Sequence, residues 1–286
     1  MRGFQTMLST LTQATRGRSN RTPPSLHCVT QPDPAMTLTA DADDFNRIRP
    51  QRLRPLTALR AFQRLIRDKE DTVQVFRIMQ ALSGRSVSRG YQRMLATMEG
   101  GRQAFLHEEL AHKLDDPVWL ALFQPGTVGA TYRAFREARG FSADGLAEVE
   151  REVVPFIDAP HPVIWYSRRL RDIHDIWHVL TGYGTDALGE ACVVSFSYGQ
   201  TRNLGFAFIG CGAAREIQRE VRSVPARRAV WQAWRNGKAA RWLPGLDYEA
   251  LFEQPLEDVR RRLNIAPATV YQSVPVEVRA GLKLRG

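Results

Sequence analysis

Cysteine is scarce in this 286-residue chain: Cys28, Cys192 and Cys211 are the only three, odd in number and without paired spacing. That argues against a disulfide framework or a thiolate zinc site and favours a reducing compartment. Cys192 and Cys211 lie in apolar surroundings and are expected in the core. Long apolar runs are missing too. The best, Gly205 to Ala214, has ten residues, whereas a membrane-spanning helix needs about twenty, so a soluble or surface-associated protein is expected. Lysine is equally rare, with Lys69, Lys113, Lys238 and Lys283 the only four among 40 basic residues. The formal charge of +10 is therefore an arginine excess, and its members look scattered rather than clustered. No zinc-finger, RNA-recognition or helix-turn-helix pattern accompanies it, so nucleic acid is not the expected partner. An anionic lipid surface is compatible with the same charge.

What is present is ordinary globular material. With 43% hydrophobic and 24% charged residues, wholesale disorder, collagen and coiled coil are excluded. The first 45 residues differ. Residues 1–35 carry Arg2, Arg16, Arg18 and Arg21 against one acid, Asp33, amid Ser, Thr, Gln and Pro. Such a segment has too little hydrophobicity to offset its ordering entropy, so residues 1–45 are read as a disordered or leader-like tail. An organelle transit peptide and a true start at Met36 are the alternatives. Residues 46–286 are expected to form one helical domain.

From Pro55 onward the period is helical and no strand-like alternation appears, which predicts an all-α fold. Leu56, Leu59, Phe62 and Ile66 define one expected face. Asp71 caps a second helix ended by Gly84. Further helices are expected over Tyr91–Met98, Pro117–Phe123, Thr127–Ala138, Ser142–Val153, Pro162–Leu180, from Asp186, and over Pro225–Arg235, Asp247–Phe252 and Pro255–Leu263.

One stretch carries chemistry: His174-Asp175-Ile176-Trp177-His178, eleven residues, then Glu190. At about 100° per residue, His178 lies about 40° around the helix from His174 and Asp175 about 100°. Both imidazoles and the carboxylate share a quadrant. If the next helix returns antiparallel past Gly182-Tyr183-Gly184, Glu190 comes opposite them. Two His with carboxylates is a catalytic metal-ligand set. It echoes the His-Glu-x-x-His of zinc proteases, but Asp is one methylene shorter, which weakens peptide hydrolysis without weakening metal binding. The bland reading is a chance pair of histidines and an acid in a helix's first turn. His107-Glu108-Glu109-Leu110-Ala111-His112 is such a look-alike: its histidines diverge by about 140°, and it is read as a solvated face.

The string Arg169-Leu170-Arg171-Asp172-Ile173-His174-Asp175-x-x-His178, then Glu190 within Leu188-Gly189-Glu190, resembles the signature of the ubiquinone (coenzyme Q) biosynthesis protein four family. Pro125-Gly126-Thr127-Val128-Gly129-x-x-Tyr132, Trp234-x-x-Gly237-x-x-Ala240 and Pro255-Leu256-x-x-Val259-Arg260-x-x-Leu263 are similar to further segments of that family. The resemblance covers roughly residues 46 to 266. It implies a helical protein with a metal, zinc first and iron or another redox-active metal as the alternative, held by His174, Asp175, His178 and Glu190 in a helix-turn-helix hairpin. It also implies peripheral attachment to the inner face of the membrane, on the mitochondrial matrix side if the tail is a transit peptide. The implied activity is oxidative decarboxylation and hydroxylation of a polyprenylated 4-hydroxybenzoate, a lyase-type step. A non-catalytic lipid-binding scaffold for the other ubiquinone biosynthesis proteins, or a metal-dependent hydrolase, are the alternatives. A homo-oligomer is compatible.

Substrate contacts are expected from Arg169 or Arg171 to the carboxylate, with two ordinary surface arginines as the alternative, and from Tyr198 and Phe206 to the rest of the molecule. The chain departs from the family at Val194, Ser197 and Tyr198, where a basic residue and an acid are common, and at Tyr183-Gly184. Those changes fall on the substrate wall rather than on the ligands. Val193, Val194, Phe196, Leu204, Phe206, Phe208 and Ile209 are expected to line a prenyl groove or else to be core. Trp231, Trp234 and Trp242 among arginines suit a headgroup layer or an ordinary packed face.

Overall fold

A computed structural model describes residues 52–68, 71, 73–139, 150, 153–154 and 157–282. The expected tail over residues 1–45 and most of the helix expected over Ser142–Val153 lie outside the described residues. Within them the fold is all-α, without a strand and with one isolated bridge between Thr127 and Pro255. In chain order come α1 (Pro55–Arg67), α2 (Val73–Ser83), α3 (Ser86–Leu95), α4 (Met98–Leu106), α5 (Leu110–Asp115), α6 (Pro117–Ala121) and α7 (Val128–Arg139). The long α8 (Pro162–Thr181) is followed by α9 (Ala187–Thr201), α10 (Leu204–Glu220) and α11 (Ala226–Ala239). Four short helices close the domain: α12 (Tyr248–Phe252), α13 (Leu256–Arg262), α14 (Thr269–Gln272) and α15 (Val276–Gly281).

Local chemistry sets these boundaries. Proline opens α1, α6 and α8, where its missing N–H costs nothing. Thr97 accepts a hydrogen bond from the Gly100 amide and starts α4, so the helix expected over Tyr91–Met98 is divided between α3 and α4. The side chains of Asp116, Asp186, Asn203 and Asp247 cap α6, α9, α10 and α12, each satisfying amides that the first turn leaves open.

At the centre is α9, with Leu188, Ala191, Cys192, Val193, Ser195, Phe196 and Ser197 all buried. A helix enclosed on nearly every side reads as apolar all round, and α9 is enclosed chiefly by α10 and α11. The contact with α11 is close because both partners offer glycine: a Cβ on Gly237 would stand 2.3 Å from the Phe196 carbonyl oxygen, and one on Gly199 2.7 Å from the Gly237 carbonyl carbon. Backbone cannot swing aside as a side chain does. Gly237→Ala should therefore lower stability by about 1–3 kcal/mol, the cost of overpacking, read as a lower denaturation midpoint. An unchanged midpoint would mean that α9 and α11 separate freely.

Several sequence expectations shift once packing is seen. In α1 the buried residues are Ala58 and Ala61, with Phe62 and Leu65 packed beside them, while Leu56 is 68% exposed and Leu59 45%. Both sets have helical spacing. The alanine face is the one that lets α1 approach α2 closely, and Phe62 fills the space over Gly212 and meets Phe208 edge-on at 5.1 Å. The expected prenyl groove divides likewise: Val193 and Phe196 are core, Phe208 and Ile209 pack on the α1–α2 cluster, and Leu204 is exposed. Cys192 is buried as expected, but Cys211 is exposed on α10. Of the three tryptophans, Trp231 is exposed beneath Arg235 at 4.8 Å. Trp242 instead donates to the Gln200 carbonyl and carries Arg93 on its ring.

Candidate metal centre

The hairpin of α8 and α9 is built by its ends. Pro162 stands at the start of α8, where the His161 side chain accepts the Val163 amide. Gly182, at φ 74°, ends α8 in the left-handed conformation that suits glycine. Arg260 of α13 donates to the Val179 and Leu180 carbonyls, both at 2.9 Å, satisfying acceptors that a helix end leaves open. Beyond the turn, Asp186 Oδ1 accepts the Leu188 and Gly189 amides, each at 3.1 Å. Its other oxygen accepts the Tyr271 hydroxyl, which itself accepts the Gly184 amide at 3.0 Å. A Cβ on Gly189 would lie 2.0 Å from the Gly184 oxygen, so α9 begins pressed against the turn. The next residue is Glu190.

This brings the expected ligands together. One donor atom from each of His174, Asp175 and His178 lies within 4.8 Å of the others. From α9, Glu190 Oε2 stands 3.6 Å from His174 Nε2 and 3.4 Å from His178 Nε2. The two imidazoles meet edge to face, 5.1 Å between centroids. His178 is buried and its Nδ1 is 3.1 Å from the Tyr183 carbonyl oxygen. With the proton assigned to Nδ1 for that bond, the Nε2 lone pair is directed at the shared space, the way outer-shell carbonyls orient metal-binding histidines. Phe135 of α7 stacks on His178 at 5.5 Å. His174, Asp175 and Glu190 remain half-buried, leaving one open side.

Electrostatics agree with the geometry. Burial opposes ionisation of Glu190, but the imidazoles of His178 and His174 that face it outweigh burial and hold the carboxyl well below the usual range. Tyr132, in the wall behind, is pushed upward by burial and then by the Asp175 carboxylate, so its hydroxyl keeps its proton. Two imidazoles grouped with the Asp175 carboxylate, and a second carboxylate, Glu190, facing both imidazoles, are donor types that suit a divalent zinc or iron ion.

The expected substrate residues fare differently. Arg169 is buried, donates to the Pro244 carbonyl at 3.2 Å and the Leu246 carbonyl at 2.5 Å, and lies over the Trp165 and Tyr248 rings. Arg171 is bound to Asp172 and Glu150. The structure does not gather these guanidiniums with the ligand set. Tyr198 and Phe206 are half-buried, two turns beyond Glu190 on α9 and near the start of α10. The look-alike pair is not a cluster either: His112 is exposed, and His107 covers Trp165 edge-on. Sequence reasoning missed Phe135, Tyr271 and the supporting role of Arg260. Only Arg260 had a signal, its place in the C-terminal motif.

Comparison with known proteins comes to the same place. The family model described as coenzyme Q (ubiquinone) biosynthesis protein Coq4 matches residues 52–269. The mitochondrial ubiquinone biosynthesis protein COQ4 homolog of Danio rerio is 32% identical over 160 residues, 55% of this chain and 54% of that protein. The chain thus spans about half the length of that relative. Its Caenorhabditis elegans counterpart, also named mitochondrial, is 28% identical over 63% of this chain and 75% of its own. A crystal structure from Nostoc punctiforme, whose name points to ubiquinone biosynthesis, shares the fold with a TM-score of 0.56 at 17% identity, over 75% of this chain and 99% of its own. No helix among the described residues is long and apolar enough to cross a membrane. With the α8–α9 hairpin inside the matched segment, the chain belongs to the coenzyme Q (ubiquinone) biosynthesis protein Coq4 family.

Proposed function

We propose that this chain carries out a metal-dependent step of ubiquinone biosynthesis: oxidative decarboxylation of a polyprenylated 4-hydroxybenzoate. In that step the ring carboxylate leaves as carbon dioxide and a hydroxyl takes its place; dioxygen accepts the two electrons, so that substrate, dioxygen and water give the hydroxylated ring, carbon dioxide and hydrogen peroxide. The observation that carries the reading is the grouping of His174, Asp175 and His178 donor atoms within 4.8 Å of one another, with the Glu190 carboxylate facing both imidazoles from α9 at 3.6 and 3.4 Å. These four residues would hold the metal, zinc by family resemblance, with iron better suited to oxygen chemistry. When bound, such a metal supplies Lewis acidity toward a carboxylate or ring oxygen.

The chain's own residues support the chemistry in stated ways. The His178 ring is held by the Tyr183 carbonyl and by Phe135, so its coordinating nitrogen needs no reorganisation. Tyr132 keeps a proton on its hydroxyl beside Asp175. Val194 and Tyr198 continue from Glu190 along α9, turned by about 40° and 80°, and form the proposed wall for the ring. Phe206 extends that wall toward the prenyl chain. Neither Arg169 nor Arg171 is assigned the substrate carboxylate, because both guanidiniums are already engaged. Other ubiquinone biosynthesis proteins and a membrane surface, met peripherally, are the proposed partners.

The test is metal analysis of the purified chain, followed by incubation with a short-prenyl 4-hydroxybenzoate with and without air. The expected result is one tightly held metal, with carbon dioxide and a hydroxylated ring formed only under air. A metal-replete protein inert under air would defeat the catalytic reading in favour of a scaffold. Turnover of an ester without oxygen would indicate a hydrolase.

A further inference from the structure

The positive charge of the folded chain is not spread over it. Residues 52–98 hold ten basic residues against three acidic ones, whereas residues 99–286 hold 24 against 23. The excess that looked scattered in the sequence is concentrated in the segment that forms α1, α2 and α3. In residues 52–67, which include all of α1, there are five arginines and no acid.

The outward face of α1 combines this charge with apolar surface. Taking about 100° per residue, the side opposite buried Ala58 and Ala61 and half-buried Leu65 carries Leu56, Arg60, Gln63 and Arg67, with Leu59 and Arg64 at its edges. All six are exposed, and Arg60, Arg64 and Arg67 take no acidic partner among the described residues. Water gains nothing from Leu56 at the middle of that face, and no element among the described residues buries it.

We propose that this face of α1 docks on an anionic phospholipid bilayer, the helix lying in the headgroup layer. The inference deepens the reading of the chain as a membrane-associated ubiquinone-pathway protein and rests on it. Leucines enter the acyl boundary while arginine stems lie along it and their guanidiniums reach the phosphates. A nucleic acid would satisfy the arginines but strand Leu56 and Leu59 against a phosphodiester backbone; a bilayer accommodates both. Interfacial attachment also agrees with the lack of a crossing helix among the described residues. Behind α1, Phe62 meets Phe208 of α10, so the docking helix is fastened to the helix that directly follows α9.

The experiment is flotation of the full chain on vesicles of phosphatidylcholine alone and of phosphatidylcholine with phosphatidylglycerol. Binding should require phosphatidylglycerol and weaken with salt. Replacing Arg60, Arg64 and Arg67 together with glutamine should weaken it on the order of a hundredfold, at about fivefold per arginine. The double variant Leu56→Glu, Leu59→Glu should also release the protein, with its circular dichroism unchanged because both leucines are exposed. If wild type and all variants float equally, α1 is not the docking face, while the membrane-associated reading survives. If the wild type floats on neither vesicle, both fail. If the arginine variant loses binding but the leucine variant floats like wild type and binds oligonucleotide, the face serves a polyanion and the proposal is overturned.

Discussion

Glu190→Ala and His174→Ala, made separately in the full chain, should each reduce bound metal to background and abolish ubiquinone production while the protein remains folded and abundant. Both side chains are half-buried, so their loss opens no large cavity. What each removes is a donor from a set with its atoms already within 3.4–3.6 Å across the hairpin. Altering only the outer groups that orient a ligand costs about 10–100-fold in affinity, and deleting a ligand costs more. Glu190→Ala also removes the one carboxylate of α9 that both imidazoles face. His178→Ala is a less discriminating test. That ring is buried against Phe135, and its removal should cost about 2–4 kcal/mol of stability besides the metal. Metal content by elemental analysis, with circular dichroism and ubiquinone quantified in a complemented strain, separates the outcomes. Normal ubiquinone from a metal-free Glu190→Ala protein would refute the catalytic assignment.

Arg169→Ala should act on the fold instead. Burial disfavours the guanidinium's charge, and the Pro244 and Leu246 carbonyls with the Trp165 and Tyr248 ring faces are what compensate it. Truncation leaves two carbonyls without their donor and a cavity between two rings, a loss of about 3–5 kcal/mol. Lysine cannot replace the fork that reaches both carbonyls, so Arg169→Lys should recover only part of it. The denaturation midpoint should fall sharply, while metal bound per folded molecule stays at the wild-type level. The opposite pattern, an unchanged midpoint with turnover lost, would return Arg169 to the substrate.

Much of the ligand site was readable in one dimension because its causes are local. His178 follows His174 at i+4, Pro162 and Gly182 bound α8, and Asp186 caps α9 four positions before Glu190. Each is a statement about helical period or an open amide, and neighbours in sequence suffice to make it. The supports of the site were not readable in that way. Arg260 lies 80 residues from Leu180 and Tyr271 85 from Asp186, and no period or cap links such positions.

The sequence by itself determined the helical class, the shared face of His174, Asp175 and His178 and the turn that folds Glu190 back on the histidines, because period, capping and spacing act within a few residues. The tertiary structure decided which side of each helix is inside and which arginines are spent. In α1, leucines and alanines both follow the helical period, and only the close approach of α2 turned the alanines inward and left Leu56 in the open. Arg169 and Arg171 differ from a substrate-binding arginine only in the acceptors within reach: beside the adjacent Asp172, those acceptors arrive from residues 244–246 and 150 when the chain packs.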